Sequence, residues 1–242
     1  MKKSVTPYNQ EDSKKKQVTE MFDGISTEYD ALNRKISLGI DVKWRRRVVD
    51  LLIPKKPESI LDIATGTGDL ALALTATNAS RIVGLDISAG MLSVGKDKVK
   101  AKNLDNTIEM VIGDSEALTY EENSFDAVTV AFGVRNFENL ELGLSELFRV
   151  LKPGGTLVVL ETAVPTRFPF KQGYKFHTQV IIPLMGKLFT RDQAAYKYLS
   201  DSAAVFPYGK QFNNILEKMG FIEVEDNPQT LGVASIYCAT KP

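Results

Sequence analysis

The stretch Ser59-Ile60-Leu61-Asp62-Ile63-Ala64-Thr65-Gly66-Thr67-Gly68-Asp69-Leu70-Ala71 constrains the fold more than any other part of the chain. An apolar run, a turn carrying two glycines and a helix start follow one another without a spacer. Glycine lets the backbone turn this tightly and come into contact with a ligand. Eighteen residues past Gly68 a second apolar run, Ile82-Val83-Gly84-Leu85, ends in Asp86. An acid at that place can accept from both hydroxyls of a ribose. The pattern predicts an α/β fold and a nucleoside-containing cofactor.

Asp69 separates the two cofactor classes that fit. Gly66-x-Gly68-x-x-Ala71 also meets the relaxed dinucleotide fingerprint. In a dinucleotide fold the pyrophosphate takes the free amides at this helix N-terminus. A carboxylate at Asp69 would compete for those amides and repel the phosphates, even if it serves as a plain helix cap. S-adenosylmethionine has no phosphate and carries an ammonium and a sulfonium beside its carboxylate. The turn therefore favours adenosylmethionine over a nicotinamide cofactor.

The rest of the chain alternates. Strands are predicted at 59–63, 81–85, 107–112, 125–131 and 156–161. Helices are predicted at 69–76, 88–101 and 138–151, the last closed by Pro153-Gly154-Gly155. Such alternation gives a parallel sheet covered on both faces. Val18, Met21, Phe22, Ile25 and Tyr29 recur at helical spacing, and a second helix runs from Val42 to Leu52 and stops at Pro54. A helix at 209–219 precedes two last strands, Phe221–Asp226 and Gly232–Ala239. With no helix between them they pair as a hairpin, so one strand runs antiparallel. That ending matches a seven-stranded methyltransferase sheet.

Residues 163–206 are too apolar and too long for a plain connection. They are expected to form a helical insertion over the sheet's carboxyl edge. Met1 to Gln17 are polar, lack a secretory h-region and are expected to be a disordered tail before a single domain over 18–242. With 30 basic and 30 acidic residues, no global field draws the chain to nucleic acid. The one cysteine, Cys238, excludes an internal disulfide and is expected to be buried. The one histidine, His177, excludes a histidine-rich metal site and reads as a packing residue rather than a base. A cytoplasmic protein is expected.

Two further turns carry chemistry. Gly113-Asp114-Ser115 follows the third strand. The Asp114 carboxylate can accept from an adenine amino group and the Ser115 amide can donate to the ring. Phe132-Gly133-Val134-Arg135-Asn136-Phe137 follows the fourth strand. Arg135 cannot act as a base at ordinary pH, but it can stabilise a phenolate or carbonyl. Its bland alternative is a salt bridge to Glu138 or Glu141.

Three motifs then carry a family resemblance. They are Tyr29-Asp30-x-Leu32-Asn33-x-x-Ile36-Ser37 running on to Trp44, Phe132-Gly133-x-Arg135-Asn136, and Arg149-Val150-Leu151-Lys152-Pro153-Gly154-Gly155 continuing to Glu161. Tyr196-x-Tyr198-Leu199-x-x-Ser202 and Phe206-Pro207 agree as well. Over roughly residues 18–240 the chain resembles the ubiquinone/menaquinone biosynthesis methyltransferases, which C-methylate polyprenylated quinols. It departs from their pattern at Asp41, where histidine is usual, and at Ala131 and Ala163, where serine is common.

The resemblance implies a Rossmann-like class I methyltransferase and transfer of a methyl group from S-adenosylmethionine to a ring carbon of demethylmenaquinol. A benzoquinol acceptor, a small-molecule methyltransferase and a silent adenosylmethionine-binding scaffold are the alternatives. It places Asp62, Gly66, Thr67, Gly68, Asp86, Asp114 and Ser115 on the cofactor. It assigns Arg135, Asn136, Tyr29 and Asp30 to the chemistry and no residue to a metal. A membrane-dissolved acceptor implies transient contact with the inner face of the membrane. Phe168, Phe170, Ile181, Ile182 and Leu184 are the expected contact, with help from Lys14-Lys15-Lys16. A homodimer stays open.

Overall fold

Seven strands form one sheet: β1 (Ser59–Ile63), β2 (Arg81–Asp86), β3 (Ile108–Ile112), β4 (Phe125–Ala131), β5 (Leu151–Thr162), β6 (Ile222–Gln229) and β7 (Ala234–Thr240). They stand in the order β3-β2-β1-β4-β5-β7-β6. The computed structural model describes residues 5–9, 11–166, 168–176 and 192–242. The first five strands pair in parallel. β7 is antiparallel to both β5 and β6, because only the short Thr230–Gly232 turn separates it from β6. The strand order reverses between β1 and β4. The crevice above their carboxyl ends is where an open α/β sheet binds its ligands.

The helices are α1 (Lys14–Ile36), α2 (Ile40–Leu52), α3 (Asp69–Leu74), α4 (Ala89–Ala101), α5 (Leu140–Val150), α6 (Phe170–Phe176), α7 (Gln193–Val205) and α8 (Lys210–Lys218). On one face of the sheet Leu144 and Leu147 of α5 and Phe212 and Leu216 of α8 pack on the apolar strands. On the other, Val48 and Leu52 of α2, Leu70 and Leu74 of α3 and Leu92 of α4 do the same. A third cluster lies apart from both. Val18, Met21 and Ile25 of α1 pack there with Met91 of α4 and Tyr196 and Tyr198 of α7.

Several boundaries differ from the sequence reading for physical reasons. α1 begins at Lys14, so Lys14–Gln17 are helix rather than tail. Ser13 caps them by accepting from the Lys16 amide. Gln17 is buried, and its Oε1 accepts from the Tyr8 and Asn9 amides. α2, by contrast, ends at Leu52 ahead of Pro54 as expected, and a separate 3₁₀ turn, Ile53–Lys55, follows it, where proline's missing N–H costs nothing. α5 ends at Val150, and Leu151 already pairs with Phe125. Lys152–Gly155 are skipped in the register before Thr156 pairs with Ala127. Gly154, at φ 76, allows that detour. In the insertion, α6 and α7 are helical as expected, while His177, Ile181, Ile182 and Leu184 lie outside the described residues. Cys238 is half-buried, and burial pushes its thiol up to about 11.

Asp62 ends up beneath the glycine turn. It is 1% exposed and accepts from Thr65 Oγ1 at 2.6 Å and Thr129 Oγ1 at 2.7 Å. Burial pushes its carboxyl up to about 6, against the opposing pull of those two hydroxyls. An acid whose folded pKa is raised stabilises the fold most below its unfolded value. That stability is lost as the pH rises through the folded value. Asp62→Asn should therefore keep the fold and flatten part of the pH dependence. Thermal melts of parent and variant from pH 4 to pH 7 check this. The parent should lose stability relative to the variant as the pH rises, and parallel profiles would show that Asp62 does not titrate there.

Candidate active site

The turn after β1 is held from three sides. Asp62 takes Thr65, as above. Asp86, at the end of β2, accepts from the Gly66 amide at 2.7 Å and the Ser88 amide at 2.9 Å. Asp30 of α1 accepts from Thr67 Oγ1 at 2.6 Å. Gly66 and Gly68 stand at φ 57 and φ 78, where a Cβ is strained. Gly66 also has open space where a Cβ would project. Burial raises the Asp86 carboxyl, and the Ser88, Gly66 and Ile87 amides oppose the rise.

These residues open on a cavity of about 700 Å³, open mouth included. Its lining includes Gly66, Asp86, Asp114, Ser115 and Asn136, with Leu85, Ile87, Met91 and Phe137 as apolar walls. The donor set fits adenosylmethionine. A buried carboxylate at Asp86 suits the ribose hydroxyls, the open side of Gly66 admits a ligand against backbone, and apolar walls suit a purine. Asp62, Thr67 and Gly68 do not line this cavity. They act behind it, shaping the turn. Asp69 does not cap α3, whose cap position is Gly68. Its carboxylate meets Lys98 Nζ at 2.7 Å and lies 3.7 Å from Arg34.

Lys15 also lines the cavity, with Nζ 2.7 Å from Asp114 and 3.4 Å from Glu116. Lys14 Nζ donates to the backbone oxygens of Arg135 at 2.9 Å and Phe137 at 2.8 Å. Burial brings the Lys14 ammonium down to about 8. These two lysines are therefore committed inward, which corrects the expectation that they assist at a lipid surface.

A second cavity, about 970 Å³ with its mouth, lies beside the first. Tyr29 and Phe132 line both. Asn33, Asp41, Trp44, Arg45, Arg135, Tyr174 and Tyr196 also line the second. Its interior is aromatic with two guanidinium groups. Arg135 pairs with Glu161, not with Glu138 or Glu141. Its Nη1 meets Glu161 Oε1 at 2.6 Å and the Phe132 carbonyl at 2.7 Å. Glu161 is fully buried at the carboxyl end of β5. Burial works against the Arg135 charge, but Glu161 more than restores it, so the guanidinium pKa is raised. Arg135 Nε is buried without a hydrogen-bond partner among the described residues. An orphaned donor of this kind marks a place for an acceptor oxygen.

Tyr29 is half-buried, and desolvation raises its phenol. Asn136 Oδ1 accepts from the Tyr198 hydroxyl at 3.1 Å, and burial pushes Tyr198 up to about 12. Asp30 lines neither cavity. It pairs with Lys98 and Thr67, fastening α1 to the glycine turn. Phe132 stands at φ 59 and faces a tight approach. A Cβ on Gly133 would lie 2.5 Å from Ala64 Cβ. Asn136 thus lines the first cavity and Arg135 the second, with Tyr29 in the wall that the two share.

Sequence reasoning missed Asp41 and Arg45 as a pair within the acceptor cavity, where Ser37 also donates to Asp41 at 2.6 Å. Burial opposes the Asp41 charge, and the bonds from Ser37 and Arg45 hold its carboxyl below the usual range. The i,i+4 spacing on α2 was the available signal. It also missed Asp23, whose carboxylate takes Ser88 Oγ at 2.6 Å and the Gly90 amide at 2.8 Å.

A seven-stranded sheet with β7 reversed and an acid-lined cofactor cavity at its switch point define a class I adenosylmethionine-dependent methyltransferase. Among solved structures, a methyltransferase from Thermotoga maritima described as a possible histamine N-methyltransferase superposes with a TM-score of 0.65. It covers 93% of this chain and 99% of its own at 17% identity, which speaks to fold alone. The profile of the ubiE/COQ5 methyltransferase family matches residues 10–241, and the chain belongs to that family. Demethylmenaquinone methyltransferase of Bacteroides fragilis is 45% identical over 98% of this chain and 97% of its own. Ubiquinone/menaquinone biosynthesis C-methyltransferase UbiE of Geobacter sulfurreducens is 40% identical over 94% and 90%.

Asp86→Ala should leave the fold standing and weaken adenosylmethionine. The loss of one charge-assisted contact is worth about 1.5–3 kcal/mol, or roughly ten- to a hundred-fold in affinity. Calorimetric titration of the folded variant is the check. Unchanged affinity would remove Asp86 from the ribose site.

Proposed function

We propose that the chain transfers a methyl group from S-adenosylmethionine to a ring carbon of demethylmenaquinol, giving menaquinol, as its relatives' names describe. The observation that carries this is the wall shared by two cavities. Acids on one side suit the cofactor, and aromatic rings with an arginine on the other suit a large apolar quinol. When bound, the cofactor supplies an electrophilic methyl group on a sulfonium.

The protein's part is to make the quinol ring nucleophilic and to keep it dry. Arg135 sits where a ring hydroxyl can take the free edge of its guanidinium. A nearby cation lowers a phenol's pKa, so the hydroxyl gives up its proton more readily. Glu161 holds that guanidinium in a fixed rotamer from a fully buried position. Tyr29 and Asn136 orient the ring at the boundary between the cavities. Trp44, Phe132, Tyr174 and Tyr196 exclude water, which strengthens the Arg135 charge on the developing phenolate. Asp30 positions rather than reacts, since it holds Thr67 of the glycine turn.

The polyprenyl tail keeps the acceptor in a bilayer, because each exposed CH₂ costs about 0.8 kcal/mol. No helix of the described residues is long and apolar enough to cross a membrane. The chain therefore meets its acceptor at the membrane surface. Phe168 and Phe170 are exposed at the head of α6 and remain available for that contact.

Arg135→Ala should bind adenosylmethionine nearly as the parent does and lower kcat by about a hundred- to a thousand-fold, as for the loss of other donors to a developing oxyanion, about 2.7–4 kcal/mol. Lysine should rescue only part, lacking the planar fork that reaches Glu161 and the acceptor together. Turnover of demethylmenaquinol with labelled cofactor measures this. A parental rate in the alanine variant would reduce Arg135 to a structural ion pair.

A further inference from the structure

The chain's formal charge is zero, yet one short segment is strongly basic. Residues 34–47 hold Arg34, Lys35, Lys43, Arg45, Arg46 and Arg47 against Asp41 alone. Arg45 is taken by Asp41 inside the acceptor cavity. Arg34, Lys43, Arg46 and Arg47 point to solvent. Arg46 reaches Asp50 at 3.2 Å in an exposed pair that binds its charge weakly, and Arg34 lies 3.7 Å from Asp69, whose closer partner is Lys98.

In the middle of this run, at the turn between α1 and α2, stands Leu38. It is 82% exposed and held at φ 51. Val42, on the first turn of α2, is 48% exposed. A second tip repeats the arrangement. Thr230, Leu231 and Gly232 between β6 and β7 stand at φ 43, 61 and 92, and Leu231 is 63% exposed. The second tip is tied to α2, which follows the first, since Trp44 Nε1 donates to Thr230 Oγ1 at 2.8 Å. Both adjoin the acceptor cavity. Ile36, Ser37 and Asp41 line it on either side of Leu38, and Val233 lines it just past Leu231.

A leucine in the left-handed region is strained, and one held out in water gains nothing from packing. Asparagine or glycine would serve either turn better if the turn alone mattered. Two such leucines beside one apolar cavity, the first among unspent cations, have the chemistry of an interfacial anchor. Apolar side chains enter the acyl boundary while lysine and arginine settle on anionic headgroups. We propose that Leu38 and Leu231 are membrane-inserting tips, with Arg34, Lys43, Arg46 and Arg47 seated on anionic lipid, so that the acceptor cavity is brought against the hydrocarbon boundary. The partner is an anionic bilayer. The proposal rests on the polyprenyl acceptor for its purpose and on the two tips for its location.

Co-sedimentation of the full chain with phosphatidylcholine vesicles, with and without phosphatidylglycerol, tests it in the absence of any acceptor. The parent should bind the anionic vesicles, and salt should weaken that binding. Leu38→Asn and Leu231→Asn fit their left-handed turns, so the fold is retained, and each should lower partition by roughly ten-fold. Arg46→Gln with Arg47→Gln should lower anionic-vesicle binding by about five-fold per charge and leave neutral vesicles unaffected. Methylation of a short-tailed, water-soluble quinol should match the parent in every variant. Failure of the parent to bind anionic vesicles, or parental binding by the protein that combines Leu38→Asn with Leu231→Asn, overturns the proposal. If the leucine variants lose vesicle binding while the parent does not methylate demethylmenaquinol, the docking surface stands and the acceptor assignment falls.

Discussion

The backbone amides and hydroxyls of the turn from Thr65 to Thr67 are gathered by three carboxylates from three elements. Asp62 takes the Thr65 hydroxyl from below, Asp86 takes the Gly66 amide from the neighbouring strand, and Asp30 takes the Thr67 hydroxyl from above. Charge-assisted bonds of this kind are the strong ones, and a buried turn cannot leave its polar groups unpaired. The cofactor cavity depends on this arrangement, because Gly66 and Asp86 are part of its wall. The placement of α1 depends on it too, since Asp30 belongs to α1 and α1 carries Tyr29 to the shared wall.

Charge is distributed so that each cavity meets its own chemistry. Asp86 and Asp114 line the first cavity, and Arg45 and Arg135 line the second, which is the division the proposed reaction calls for. Glu161 and Asp41 keep Arg135 and Arg45 in place, and Glu161, which does not line the cavity, leaves Arg135 Nε uncommitted. A buried ion pair of this sort is weak evidence for stability. Its value here is a fixed donor position in a water-poor cavity.

The sheet was legible because its strands are apolar runs bounded by glycine turns, and the order of those runs dictates a parallel core with a reversed final strand. The cofactor turns were legible because glycine and acid at these spacings have few other uses. Arg135 was legible as a functional cation, but its partner was not. Glu138 and Glu141 are near it in sequence, while Glu161 is near it only after β4 and β5 pair. Asp30 was legible as polar and important, yet its target could not be read. Which face of α1 meets the glycine turn follows from the packing of Met21 and Ile25 with Met91, Tyr196 and Tyr198.

The sequence by itself determined the strand order's raw material and the cofactor class, because these rest on local spacing and on the chemistry of single residues. Only the tertiary structure decided which acids line the first cavity and which brace the turn behind it, that Lys14 and Lys15 point inward, and that two cavities share Tyr29 and Phe132. Those outcomes depend on contacts between residues far apart in the chain. Such contacts form where the burial of apolar faces brings helices and strands together, and no spacing within one segment records them.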